Sequence, residues 1–142
     1  MKLYFTYGSN MCGKQMNEPC PDNQYFGTGI LKGFRWIIST HGYANIVKSE
    51  EDEVHGVVYK ISEADELSLD KYEGIRNASY LKEMKNVEIG KTIYSCLVYI
   101  DPTETEGKPK EEYINRIKSG IADAELVPEY IERYIQKFIP CQ

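Results

Sequence analysis

Two carboxylates and one glycine-centred loop hold most of the chemistry that this sequence is equipped to do. Asp70 and Glu73 stand three residues apart in LSLDKYEGI, residues 67–75. That spacing places both on one face of a helix near its C-terminal end. A carboxylate there is disfavoured by the helix dipole. Where such a face meets an apolar, tyrosine-lined pocket, burial raises the carboxyl pKa toward the range of a general acid/base. The bland alternative is a solvated acidic helix end.

The second feature is YGSN at residues 7–10. Gly8 has access to backbone angles closed to other residues and lets a ligand approach the main chain. The amides that follow, at the start of a short helical turn, are expected to form a cup for a carboxylate or phosphate. Ser9 and Asn10 add side-chain donors. The alternative is a strand-to-helix turn in which Asn10 acts only as N-cap.

Other chemistry is sparse. A serine or cysteine nucleophile needs a nearby base, usually histidine, and the chain has only His41 and His55. The first follows a strand and the second sits inside one, positions that suit structural or solvated roles. No GxSxG elbow, P-loop or GxGxxG fingerprint is present. Cys12, Cys20, Cys96 and Cys141 form no CxxC pair and, with two histidines, no zinc-site spacing. They are expected to be free thiols in a reducing compartment. An enzyme built from this chain must work mainly with carboxylates, tyrosines and backbone groups, without a metal or cofactor.

The elements that position these residues follow from the pattern. Leu3 to Tyr7 reads as a strand and Asn10 to Met16 as a short helical turn, followed by a turn cluster over residues 18–23. Residues 24–47 are rich in aromatic and β-branched residues, and glycines 27, 29 and 33 within them predict bends or bulges in curved strands. Val54 to Ile61 is a further strand, with Val57 and Tyr59 facing opposite to Val58. Ser62 then caps a helix, with Asp65 in the reciprocal position of a capping box, and Gly74 is the expected stop. Tyr80 to Ile89 and Thr92 to Ile100 form a hairpin around Gly90-Lys91. The second of these strands is apolar on both faces and is expected to be central. After a surface loop over residues 101–109, Ile114, Ile117 and Ile121 recur at helical spacing. Pro128 opens a last helix with Tyr130, Ile131, Tyr134, Ile135 and Phe138 in one stripe. Strands, one helix, strands and then helices predict an α+β fold on a largely antiparallel, curved sheet.

The bulk numbers narrow the class of partner. At 142 residues, 42% hydrophobic and 27% charged, the chain is expected to be a single domain over residues 1–142 that buries its own core. A net charge of −5 without any basic run argues against nucleic acid. No apolar run approaches the roughly 20 residues of a membrane span. The N-terminus lacks the pattern of a secretory signal, so a cytoplasmic protein is expected. Twelve tyrosines are many for this length, and they suit strands and pockets that need an apolar body with a polar tip.

Taken in order, YFTYGSNM, VHGVVYKIS, LDKYEG with a tyrosine seven residues beyond its glutamate, and EEYINRIKSGIADAELVPEYIERY resemble the γ-glutamylcyclotransferases over essentially the whole chain. The resemblance implies a small mixed, mostly antiparallel β-barrel flanked by helices, and release of 5-oxoproline from a γ-glutamyl compound. It places Glu73 at the catalytic acid/base position. Tyr7, Gly8, Ser9 and Asn10 become the loop that holds the glutamyl group, with Tyr4 to Thr6 close by. Tyr80 and Tyr113 fall at substrate-contacting positions, either one suited to a developing oxyanion. The expected partner is a small γ-glutamyl molecule, and the assembly a monomer or homodimer. The leaving group stays open among amino acids, amines and antibiotic-like amides. Two other readings remain: a non-catalytic module that binds a small carboxylate or phosphate through YGSN, and a carboxylate-pair hydrolase using both Asp70 and Glu73.

Overall fold

A computed structural model describes residues 1–76 and 79–140. Five strands close into a barrel in the order β1-β3-β2-β4-β5. They are β1 (Lys2–Thr6), β2 (Gln24–Ile38), β3 (Ala44–Ile61), β4 (Leu81–Ile89) and β5 (Thr92–Ile100). All pairings are antiparallel except β1 with β5, which run parallel with Tyr4 opposite Leu97. The fold is the α+β, mixed and mostly antiparallel barrel that the resemblance implies.

The barrel is built from longer pieces than the sequence suggests. Residues 44–61 form one strand, whereas the pattern marked its second half, Val54 to Ile61, as a strand of its own. The strand stays continuous because β2 pairs with it along almost its whole length, from Ile38 opposite Ala44 to Gln24 opposite Lys60. The register shifts twice, between Tyr25 and Gly27 and between Lys32 and Phe34. At the second shift Gly33 takes φ +87°, a conformation that side chains oppose. These bulges supply the curvature that closure needs. Val57, Val58 and Tyr59 are all buried, so β3 is covered on both faces, by the barrel interior and by the outer elements.

Among the described residues, four helices surround the barrel: α1 (Gly13–Met16), α2 (Glu63–Arg76), α3 (Glu111–Ala124) and α4 (Pro128–Tyr130), the last running into a π-helical turn at Ile131–Ile135. The capping box forms as expected. The Asp65 amide donates to Ser62 Oγ at 3.1 Å, and the Ser62 amide donates to Asp65 Oδ2 at 3.2 Å. The helix does not stop at Gly74 but reaches Arg76, since a glycine weakens a helix interior without ending it. The short turn after β1 is 3₁₀ over Ser9–Met11 before α1 begins. Asn10 caps neither segment: Gly8 and Cys12 hold the cap positions without side-chain bonds. In α3, Ile117 is fully buried with Tyr113 one turn earlier. Among the described residues, no helix is long and apolar enough to cross a membrane. Cys12, Cys20 and Cys96 are free thiols, and Cys141 lies outside the described residues.

Candidate active site

The end of β1, the 3₁₀ turn, the last turns of α2, the end of β5 and the head of α3 meet around one cavity. It is lined by Tyr4, Phe5, Thr6, Tyr7, Gly8, Ser9, Asn10, Glu73, Tyr99 and Tyr113. Six of the seven residues singled out in the sequence are therefore brought together. Tyr80 is the exception. Its ring packs 5.6 Å from that of Tyr99.

The loop wall is held rigidly. Trp36 Nε1 donates to the Tyr7 carbonyl at 2.8 Å, and the Tyr7 hydroxyl donates to the Tyr99 carbonyl at 2.6 Å. Both bonds are buried, where such bonds are worth most. Gly8 has φ −123°, outside the left-handed region, so backbone freedom is not why glycine stands there. The reason is proximity: a Cβ at Gly8 would lie 2.7 Å from Tyr113 Oη and 3.3 Å from Ala44 Cβ. On its other side, a Cβ at Gly120 of α3 would come within 3.1 Å of the Gly8 carbonyl oxygen. Two glycines thus let β1 and α3 approach and close the cavity.

Donor accounting sorts the hydroxyls. The protons of Tyr7 and Tyr99 are committed, the first to the Tyr99 carbonyl and the second to Asp70 Oδ1 at 2.7 Å. Tyr4 Oη instead accepts from Asn10 Nδ2 at 3.3 Å, and Tyr113 Oη accepts from the Ala44 amide at 3.4 Å. Burial first, and then the negative charge of Glu73, push the Tyr4 and Tyr7 pKa values above the ordinary tyrosine value. Both stay neutral donors in neutral water, and both feel Glu73 across the cavity.

Asp70 does not share this cavity. It accepts from the Tyr99 hydroxyl and pairs with Lys82 Nζ at 3.0 Å. It lines a separate, wider groove of about 680 Å³ with Lys2, Glu66, Leu67 and Lys82. There Lys2 pairs with Glu66 at 2.9 Å, and Lys82 reaches Glu66 at 2.6 Å. The groove's two lysines are paired, whereas the smaller cavity presents hydroxyls, a carboxylate and main chain. The carboxylate-pair arrangement is thus not formed at the cavity.

His41 and His55 lie elsewhere. His41 Nδ1 is 2.7 Å from Asp101, which also accepts from Ser39 Oγ at 3.0 Å. His55 stacks on Tyr130 with ring centroids 4.2 Å apart. Sequence reasoning missed Tyr99 and Trp36 as parts of the site. No local motif marks either one; the β1–β5 and β2–β3 pairings bring them in.

Comparison with known proteins gives the family and the fold. The family model described as "Gamma-glutamyl cyclotransferase, AIG2-like" matches residues 4–120. A human protein named gamma-glutamylcyclotransferase is 30% identical, covering 92% of this chain and 76% of its own length. The bovine protein of that name is 29% identical over 90% of this chain and 74% of its own. A solved structure named gamma-glutamyl cyclotransferase superposes with a TM-score of 0.83 at 26% identity, covering 93% of this chain and 85% of that one.

Proposed function

The chain belongs to the gamma-glutamyl cyclotransferase, AIG2-like family and is an enzyme of that type, and on that premise we propose that it releases 5-oxoproline from a γ-glutamyl amino acid or amine. The observation that carries this reading is the position of Glu73, which walls the same cavity as the Tyr7–Asn10 loop. In the proposed reaction the substrate's α-amine attacks its own γ-carbonyl carbon. A new C–N bond closes the five-membered ring, and the bond to the leaving amine breaks. No protein nucleophile is needed, which fits a site of carboxylate, hydroxyls and main chain.

The loop binds and Glu73 moves the proton. The amides of Met11 and Cys12 are consumed within the 3₁₀ turn by the Gly8 and Ser9 carbonyls. The Tyr7–Asn10 loop, which lines the cavity, is the wall assigned to the substrate α-carboxylate. Holding the glutamyl chain folded supplies proximity. Glu73 takes a proton from the attacking amine and returns it to the leaving nitrogen, so it ends the cycle unchanged. Tyr113, a cavity residue where Tyr80 is not, donates to the developing oxyanion.

The cavity measures about 30 Å³. The test is a screen of γ-glutamyl amino acids, γ-glutamyl amines and glutathione, with mass detection of 5-oxoproline. Release from at least one class is expected. Saturable binding of small carboxylates without product from any compound would make the protein a binding module instead.

A further inference from the structure

Helix α2 carries Glu73, yet it offers the barrel little apolar surface. Of its side chains at residues 63–74, only Asp65 and Leu69 are buried, and Leu67 and Tyr72 are exposed. The helix is tied down mainly by polar groups. Asp65 closes the cap at its start, Glu66 pairs with Lys2 and Lys82, and Asp70 pairs with Lys82 and accepts from Tyr99. Asp70 lies three residues before Glu73, about one helical turn away.

Its partner touches both walls of the cavity. The carbonyl of Tyr99 accepts the Tyr7 hydroxyl at 2.6 Å, which fixes the loop wall. Its own hydroxyl donates to Asp70 Oδ1 at 2.7 Å, which fixes the helix wall. Lys82 Nζ sits 3.0 Å from Asp70 and 5.8 Å from the centre of the Tyr99 ring, so the carboxylate is held against the ring from outside. Tyr99 is 5% exposed. Its burial, and then the bond to Asp70, push its pKa far above the ordinary tyrosine value, so the hydroxyl stays a donor.

We propose that Asp70 is a positioning residue: through its hydrogen bond with Tyr99, braced by Lys82, it sets the separation between Glu73 and the loop that holds the glutamyl group. This rests on the reading of Glu73 as acid/base. It assigns Asp70 no proton transfer and no substrate contact. It predicts that loosening the bond changes turnover more than binding, because the loop wall is held through the main-chain carbonyls of Tyr7 and Tyr99, which those side-chain changes leave in place.

The experiment measures kcat, KM and Tm for wild type, Tyr99→Phe, Asp70→Ala, Asp70→Asn and the Tyr99→Phe/Asp70→Ala double variant, with the γ-glutamyl compound that the wild type cyclises. Tyr99→Phe and Asp70→Ala should each lower kcat by about ten- to a hundred-fold, the size expected of an ångström-scale misplacement. KM should stay within about two-fold, since it follows the glutamyl-holding wall. Asp70→Asn keeps an acceptor oxygen for the Tyr99 hydroxyl and should recover much of the loss. The double variant should be no worse than the weaker single, because both remove one bond. Lys2→Ala removes a different tie of the same helix and should leave kcat within about two-fold. Wild-type kcat in Tyr99→Phe and Asp70→Ala would overturn the proposal. So would additive losses, an Asn variant as impaired as the Ala variant, or an equal loss in Lys2→Ala. A wild type that cyclises nothing would overturn the functional reading, and the proposal with it. An inactive Glu73→Gln beside normal Tyr99→Phe would sink the positioning role alone.

Discussion

The two walls of the cavity are built on different physics. The Gly8 wall is main chain, pressed between β1 and α3 at distances that leave no room for a Cβ and pinned by buried bonds from Trp36 and to Tyr99. The Glu73 wall is a side chain on a helix whose contacts with the barrel are mostly ion pairs and hydrogen bonds. Packing of the first kind is stiff, since interiors are close-packed. Partly exposed ion pairs contribute little stability each, so the second wall depends on geometry more than on strength. The difference matches a division of labour in which the rigid wall recognises and the adjustable wall moves a proton.

Substitutions on the two walls should separate in the kinetic constants. The largest effect is expected for Glu73→Gln, which removes the proposed proton carrier and should cut kcat by about 10²- to 10⁴-fold with an unchanged Tm, read by 5-oxoproline release and thermal melting. Next comes Gly8→Ala. Its new methyl meets Tyr113 Oη and Ala44 Cβ, so a loss of about 1–3 kcal/mol in stability should accompany a raised KM, measured by denaturant unfolding and steady-state kinetics. If Gly8→Ala lowered kcat alone, the division between the walls would be broken.

Smaller effects sharpen the description of the helix wall. Ser62→Ala removes one half of the capping box at the start of α2 and should cost about 1 kcal/mol in denaturant unfolding, with kcat nearly unchanged because Glu73 is far along the helix. The weakest effect is a pH trend. Hydrogen bonds from Lys82 and then Lys2 hold the Glu66 carboxyl below its ordinary 4.5. Ionised Glu66 therefore stabilises the fold above pH 4.5, and that contribution is lost as pH falls through the lowered value. Asp52, held down by Ser49 and Tyr134, behaves in the same sense below its ordinary 3.8. Thermal melts should show Tm falling on acidification below about pH 4.5, and less steeply in Glu66→Gln.

The same contrast explains what could be read from sequence. The capping box at Ser62 and Asp65, the hairpin around Gly90-Lys91 and the spacing of Ile114, Ile117 and Ile121 are local signals, and each element forms where its residues place it. Glu73 and the Tyr7–Asn10 loop were legible as candidates because their motifs are contiguous. Their meeting was legible only through the family resemblance, since closure of β1 on β5 is a long-range event with no local mark. For that reason Tyr99 was invisible: a tyrosine in TIYSCLVYI is one aromatic among many until Tyr4 pairs opposite Leu97. Tyr80, at its offset of seven from Glu73, packs its ring against Tyr99 and is not among the residues that line the cavity. At Gly8 the structure adds a reason the sequence does not carry, the close approach of Tyr113.

The central claim is that the loop binds the glutamyl group while Glu73 performs only the proton transfer. Calorimetric titration of Glu73→Gln with the compound that the wild type cyclises tests it most directly, with product assayed in the same cell. The expected result is saturable binding with a Kd near the wild-type KM and no 5-oxoproline. Undiminished product from that variant would contradict the account.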